Sequence, residues 1–215
     1  PGDLNASALL VDRRQSTDFN DRGEEKSSNG RFGLSYEIND TWSLENRFGY
    51  LDRETGVNMP SSSWIADTSY ETISYSPILH YESNSADWMI GFDYFKDEVH
   101  ADTNYDDSFL ERRTMAILAS TNQSLSELWN LNGNFRLETN KNSGEYGGTV
   151  LNEVENKEWA GAIGLVRELG SEDLIYGAIR RFYRYPATDE ILVFWPSRGL
   201  NPNLEPESGF EVELG

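Results

Sequence analysis

The sequence has no cysteine. It therefore carries no disulfide framework and no thiolate zinc cluster, and the small stapled secreted scaffolds are excluded. No apolar run approaches the ~20 residues of a transmembrane helix, and no signal-peptide pattern is present. Positive charge is scarce: 18 Lys and Arg stand against 37 Asp and Glu, for a formal net charge of -19. Phosphate backbones are held by Lys and Arg, so nucleic acid is not an expected partner. Histidine is limited to His80 and His100, and neither has metal-ligand spacing. No metal or other cofactor is expected.

Aromatic residues, by contrast, make up 13% of the chain although hydrophobic residues make up only 37%. A disordered acidic chain is poor in aromatics, so this one folds, with its apolar residues spread out. Their period is two. Phe32, Leu34, Tyr36 and Ile38 alternate with Gly33, Ser35 and Glu37. Trp42, Leu44, Phe48 and Tyr50 share one face, and Ser43, Glu45, Arg47 and Gly49 the other. The same alternation recurs around Ile73, Trp88, Met115, Trp129 and Trp159, runs from Leu174 towards Phe182, and returns at Phe210, Val212 and Leu214. With residues 4–11, about ten strands are expected. One apolar and one polar face is what a sheet between two different environments requires.

Short and long connections alternate. Short ones fall near 39–41, 83–87, 121–126 and 170–173. Long ones fall near 13–29, 53–68, 97–107, 140–153 and 185–207. Each short turn precedes a large apolar residue, which places Trp42, Trp88 and Trp129 at one level. Aromatic rings collect at membrane interfaces, and outer-membrane barrels have short turns on one side and longer loops on the other. The fold expected is all-β: an antiparallel up-and-down meander forming part of a large transmembrane barrel. Glu45, Arg47, Asp93, Asn130, Asn132, Asn134 and Arg136 then line its lumen.

The C-terminal region carries a denser pattern. Phe182, Arg184, Pro186, Asp189, Glu190 and Ile191 are followed by Asn201, Pro202, Leu204, Pro206 and Glu207, then by Glu213-Leu214-Gly215. Pro186 has no N–H and pushes Tyr185 into extended geometry, so the strand ends there. Asn201-Pro202 and Glu205-Pro206 form two stiff corners into the next strand. This pattern resembles the signature of TonB-dependent outer-membrane receptors, with Glu205 where the family usually has Lys. The resemblance implies an outer loop over 185–207 and a location in the outer membrane of a Gram-negative bacterium. It further implies active import of a scarce nutrient such as a metal chelate. The implied partners are lipid and lipopolysaccharide, the receptor's own plug domain, TonB and an unidentified small-molecule ligand. Residues 1–215 are expected to be one part of a larger barrel, without plug and without closing strands. A soluble or surface β-meander with a binding role and a passive porin are the alternatives.

Ligand contact is expected from loop residues Tyr105, Tyr146, Phe194, Trp195 and Arg198. Asp102, Asn104 and Asp106 copy the start of a calcium loop, but Asp107 replaces its glycine and Arg113 its final glutamate, so 97–107 reads as a solvated acidic loop. The remaining carboxylates are spread over loops and polar strand faces. No catalytic group, and hence no enzyme, is expected.

Overall fold

The structure, a computed structural model, describes residues 20–60, 62–170, 173–193, 199–201 and 204–215. The expected strand over 4–11 lies outside these residues. Eight long strands follow one another: β1 (Arg22–Glu37), β2 (Trp42–Met59), β3 (Trp64–Glu82), β4 (Ala86–Thr103), β5 (Asp107–Ser126), β6 (Trp129–Tyr146), β7 (Thr149–Glu168) and β8 (Leu174–Arg184). A single helical turn, α1 (Thr188–Ile191), and a short ribbon of β9 (Leu192–Val193) with β10 (Gly199–Leu200) precede the last strand, β11 (Glu207–Leu214). β1 to β8 and β11 form one nine-stranded antiparallel sheet in chain order.

The register sorts side chains as the period of two demands. Phe32, Phe48 and Tyr75 share one row, and Trp42, Tyr81 and Trp88 another. Phe48 stacks on Tyr75 with ring centroids 4.6 Å apart, and Trp42 meets Tyr81 at 4.9 Å. The face carrying these rings is bare: Ile90, Ile117 and Ile163 are each more than half exposed. An exposed apolar band continuous over nine strands has no place in water and fits a bilayer. The opposite face holds Asp93, Arg112, Arg136, Glu138, Asn140 and Asn142, and also the core. Val99, Leu110, Leu151 and Ile191 are buried there, with Tyr70, Val154 and Leu204 packed against them.

Three expected long loops are strand instead. The connections contract to residues 60–63, 104–106 and 147–148, and β1 already begins at Arg22 within the expected 13–29 loop. Strands of 18 to 20 residues span about 60 Å at ~3.3 Å per residue, whereas crossing a bilayer takes ~9–11 residues. Their outer halves rise beyond the bilayer, where no lipid enforces apolar residues on the outward face, so the apolar alternation stops while the hydrogen-bond ladder continues. That removes the sequence signal of a strand. Gly147 and Gly148 (φ 51° and 77°) supply the two left-handed residues of a tight hairpin turn.

The three tryptophans beside the short turns do not share one register row. Trp42 and Trp88 both pair with Tyr81, but Trp88 pairs with Thr121 and Thr121 with Gly133, four residues up β6 from Trp129. Strands of a barrel are tilted and staggered, so equal distances from successive turns do not share one register row.

Candidate functional site

The inner face converges on Arg136. Its Nη1 donates to Asp93 Oδ2 at 2.5 Å and its Nε to Glu138 Oε2 at 2.6 Å. Asp93 is on β4 and Glu138 on β6, and the register places Ala116 of β5 between them. The small methyl of Ala116 leaves the space in which a guanidinium bridges two strands. Arginine suits this place because its planar fork serves two carboxylates at once. Lower on the wall Arg47 pairs with Glu45 at 2.7 Å. Higher up, Arg53 lies over the Tyr70 ring, 4.4 Å from its centroid.

The segment after β8 folds inward onto this wall. Arg112 donates from Nε to Asn142 Oδ1 at 2.9 Å and from Nη2 to the Pro186 carbonyl at 2.7 Å. The Tyr185 hydroxyl donates to the Glu138 carbonyl at 3.3 Å. Ile191 and Leu204 then cover Val99, Leu110, Leu151 and Val154, and the Asn201 N–H closes back on the Ile191 carbonyl at 2.9 Å. The expected outer loop over 185–207 is therefore, in its described part, a strap on the lumen side. Arg112, the Tyr185 hydroxyl and an apolar cluster hold it there, which a loop standing free in water would not need.

The motif residues divide by role. Arg184 forks both oxygens of Glu190 at 3.0 Å and reaches Glu207 at 3.2 Å. Glu190 also accepts the Ala187 N–H at 2.6 Å. The Arg184 hydrogen bond, then the Ala187 N–H, hold the Glu190 carboxyl below its ordinary 4.5. The Phe182 ring lies on Gly209, where an added Cβ would come within 2.7 Å of it. Pro186 contributes its carbonyl, Leu204 its side chain, and Pro206 leads into β11. The side chain of Asp189, and all of Phe194, Trp195, Arg198 and Pro202, lie outside the described residues.

Tyr105 and Tyr146 are brought to the same rim. Tyr105 packs on Trp64 at 5.8 Å, and the Tyr146 hydroxyl donates to Asp106 Oδ2 at 3.2 Å. A cleft of about 630 Å³ opens there between Tyr105, Asn104, Asp107, Phe109, Glu145 and Gly147. Asn104 is turned away from any calcium geometry. It accepts the Ile65 N–H at 3.2 Å and donates to the Ser63 carbonyl at 2.8 Å, stitching two hairpin tips. Asp102 sits against Asp107, and this shared contact raises its carboxyl above the ordinary 3.8.

Arg112, Glu138, Asn140, Asn142 and Tyr185 were not singled out from the sequence. The signal for three of them was available: the alternation Asn130, Asn132, Asn134, Arg136 simply continues through Glu138, Asn140 and Asn142.

A family model described as TonB dependent receptor-like, beta-barrel, matches residues 2–215. The chain belongs to that family. TonB-dependent receptors are outer-membrane transporters of Gram-negative bacteria rather than enzymes. No curated protein matches the sequence, but solved receptors share the fold. The ferric citrate transporter FecA, in its unliganded form, is similar with a TM-score of 0.79 at 15% identity, over 100% of this chain and 35% of that one. The ferric-catecholate import receptor Fiu of E. coli gives 0.75 at 12% identity, over 98% and 42%. The ferric yersiniabactin uptake receptor FyuA of Yersinia pestis gives 0.66 at 13%, over 89% and 32%. The chain thus spans about a third to two-fifths of the length of these receptors.

Proposed function

We propose that this chain forms part of the wall of a TonB-dependent receptor that binds and actively imports a scarce nutrient such as a metal chelate. The observation that carries the reading is the division of one sheet into a bare apolar face and a face of arginines and carboxylates. The family match supports a plugged receptor over a passive pore, and a plugged receptor has use for a patterned inner wall. In this reading the plug domain packs against the Arg47, Asp93, Arg136 and Asn130–Asn134 side, and TonB acts through the plug. Phe182, Arg184, Pro186, Asp189, Glu190, Asn201, Pro202, Leu204, Pro206 and Glu207 set the course of the strap. Tyr105 and Tyr146 at the rim, with Phe194, Trp195 and Arg198, are proposed to meet the ligand. The likeness to ferric-chelate receptors supports a metal chelate as cargo.

The test is uptake by intact cells. Deleting the gene is expected to abolish accumulation of one radiolabelled ferric chelate from a panel, and losing TonB is expected to do the same. Uptake that persists without TonB would reduce the protein to a passive channel.

A further inference from the structure

Charge is sorted across the outer half of this wall. Beyond Tyr50, the last ring of the apolar band on β2, Asp52, Glu54, Asp67, Glu71, Glu98 and Asp102 all fall on the outward register. Over the same stretch the inward positions of β2 to β5 are neutral apart from Arg53, Asp97 and Arg112. A chain of net charge -19 thus presents little acid to this part of its lumen. Asp97 and Arg112 are direct register partners, which leaves Arg53 unmatched.

Elsewhere on the inner face Arg47, Arg136 and Arg180 each hold a carboxylate. Among the described residues Arg53 holds none, and its Nε is buried without a hydrogen-bond partner. With 37 acids for 18 bases in the chain, this is no shortage of partners. Buried polar groups are normally paired, and an exception marks a functional group or a place for an ion or water. The guanidinium lies 4.4 Å from the centre of the Tyr70 ring, a contact that favours a cation. Tyr70 is the register partner of Arg53, and the row continues into Val99 and Leu110, both buried. With the ring under one face, the two Nη groups remain to fork the oxygens of an anion. Arg53 also stands well above Arg47 on β2, about 20 Å along the strand at ~3.3 Å per residue. It is therefore on the outer side of the Arg47, Asp93 and Glu138 row, on the path of a molecule entering from outside.

We propose that Arg53, backed by Tyr70, is a subsite for a cargo that carries an anionic oxygen pair, as a carboxylate or a catecholate does. This rests on the reading of the chain as part of an importer. It narrows the cargo from any metal chelate to a negatively charged one, against the sign of the net charge.

The test uses the whole receptor, plug included, purified in mild detergent. Binding is read by quenching of tryptophan fluorescence, with ferric citrate, an anionic ferric tris-catecholate and a neutral ferric tris-hydroxamate as probes. Wild type is expected to bind at least one of the two anionic chelates. R53Q is expected to weaken that binding at least tenfold and R53K several-fold. R31Q, which removes an exposed arginine of the same face, is expected to leave it unchanged. Wild type that binds neither anionic probe overturns the proposal. So does R53Q that binds as wild type does, or that loses anionic and neutral chelates in equal measure, the mark of a wall or plug contact. Equal loss in R31Q would assign the effect to general charge and also overturn it. If R53Q does not assemble, R53K and Y70L decide, each expected to be several-fold weaker on the anionic probe alone. Binding is read without TonB, so uptake that persists without TonB removes the import reading and leaves this result standing.

Discussion

Arg181 and Glu158 meet at 2.7 Å although they start on opposite faces of the sheet. The contact is possible because the ladder between β7 and β8 runs only from Glu168–Leu174 to Gly161–Arg181. Where it stops, the Arg181 side chain turns into the seam, 12% exposed. It donates to the Trp159 carbonyl and lies 4.6 Å from the centre of the Trp159 ring. One guanidinium thus satisfies a backbone carbonyl where the strands part.

Removing that guanidinium is expected to loosen the seam. Arg181→Ala leaves a part-buried carboxylate and a carbonyl without their partner, at a cost of about 1–3 kcal/mol. Arg181→Lys recovers only part of it, since an ammonium has no fork to divide between Glu158 and the carbonyl. Urea unfolding in detergent or lipid, followed by tryptophan fluorescence, reads the difference. An unchanged midpoint for Arg181→Ala would show that the seam is held by other contacts.

The Arg136 hub is expected to respond asymmetrically. Arg136→Ala strands Asp93 and Glu138 together, which for a buried network costs about 3–5 kcal/mol. The triple change Asp93→Asn, Arg136→Met, Glu138→Gln removes all three charges and is expected to be much closer to wild type. A triple variant no better than the single one, in the same unfolding measurement, would mean that the charges themselves stabilise the wall.

Depth on the outward face should govern tolerance to charge. Ile117→Arg, in the middle of the apolar band, is expected to cost about 2–4 kcal/mol on membrane insertion. Val150→Arg, on the outward register but above the band and 68% exposed, is expected to cost almost nothing. Yield of folded protein in outer-membrane fractions ranks the two. Equal yields would place the bilayer elsewhere.

Two acid groups outside the band should respond to pH with opposite signs. Glu190 has a lowered pKa in the folded strap, because Arg184 favours its charged form. Its contribution is present at neutral pH and is lost as pH falls through that lowered value. Asp102 has a raised pKa beside Asp107, so its contribution is present in acid and is lost as pH rises through the raised value. Amide protection factors, with the intrinsic pH dependence of exchange divided out, should therefore fall around Glu190 on acidification and rise at the hairpin tip at Asp102. Parallel behaviour at both places would contradict the assigned contacts.

Strap latching is tested by Arg112→Gln combined with Tyr185→Phe. The pair removes the side-chain bonds to Pro186 and Glu138 and keeps the apolar cluster around Leu110. Cysteines introduced at Leu204 and Val154, which pack in one cluster, are expected to cross-link readily in the parent and several-fold more slowly in the double variant. Unchanged cross-linking would mean that Ile191 and Leu204 hold the strap by themselves.

Alternation from Phe32 to Leu214 determined the strands, their two faces and the identity of the bilayer side, because a residue in a strand between lipid and lumen has only two directions to point. The prolines and Asn201 determined where β8 ends and β11 begins. The hairpin tips were not legible. Beyond the bilayer no lipid enforces apolar residues on the outward face, and 53–68 or 140–153 reads as loop although the ladder continues. Nor could the sequence say that the segment after Pro186 turns inward, that Arg112 finds a carbonyl 74 positions away, or that Arg181 crosses a seam. Those contacts join residues distant in the chain, and only the stagger of neighbouring strands decides which of them come within reach.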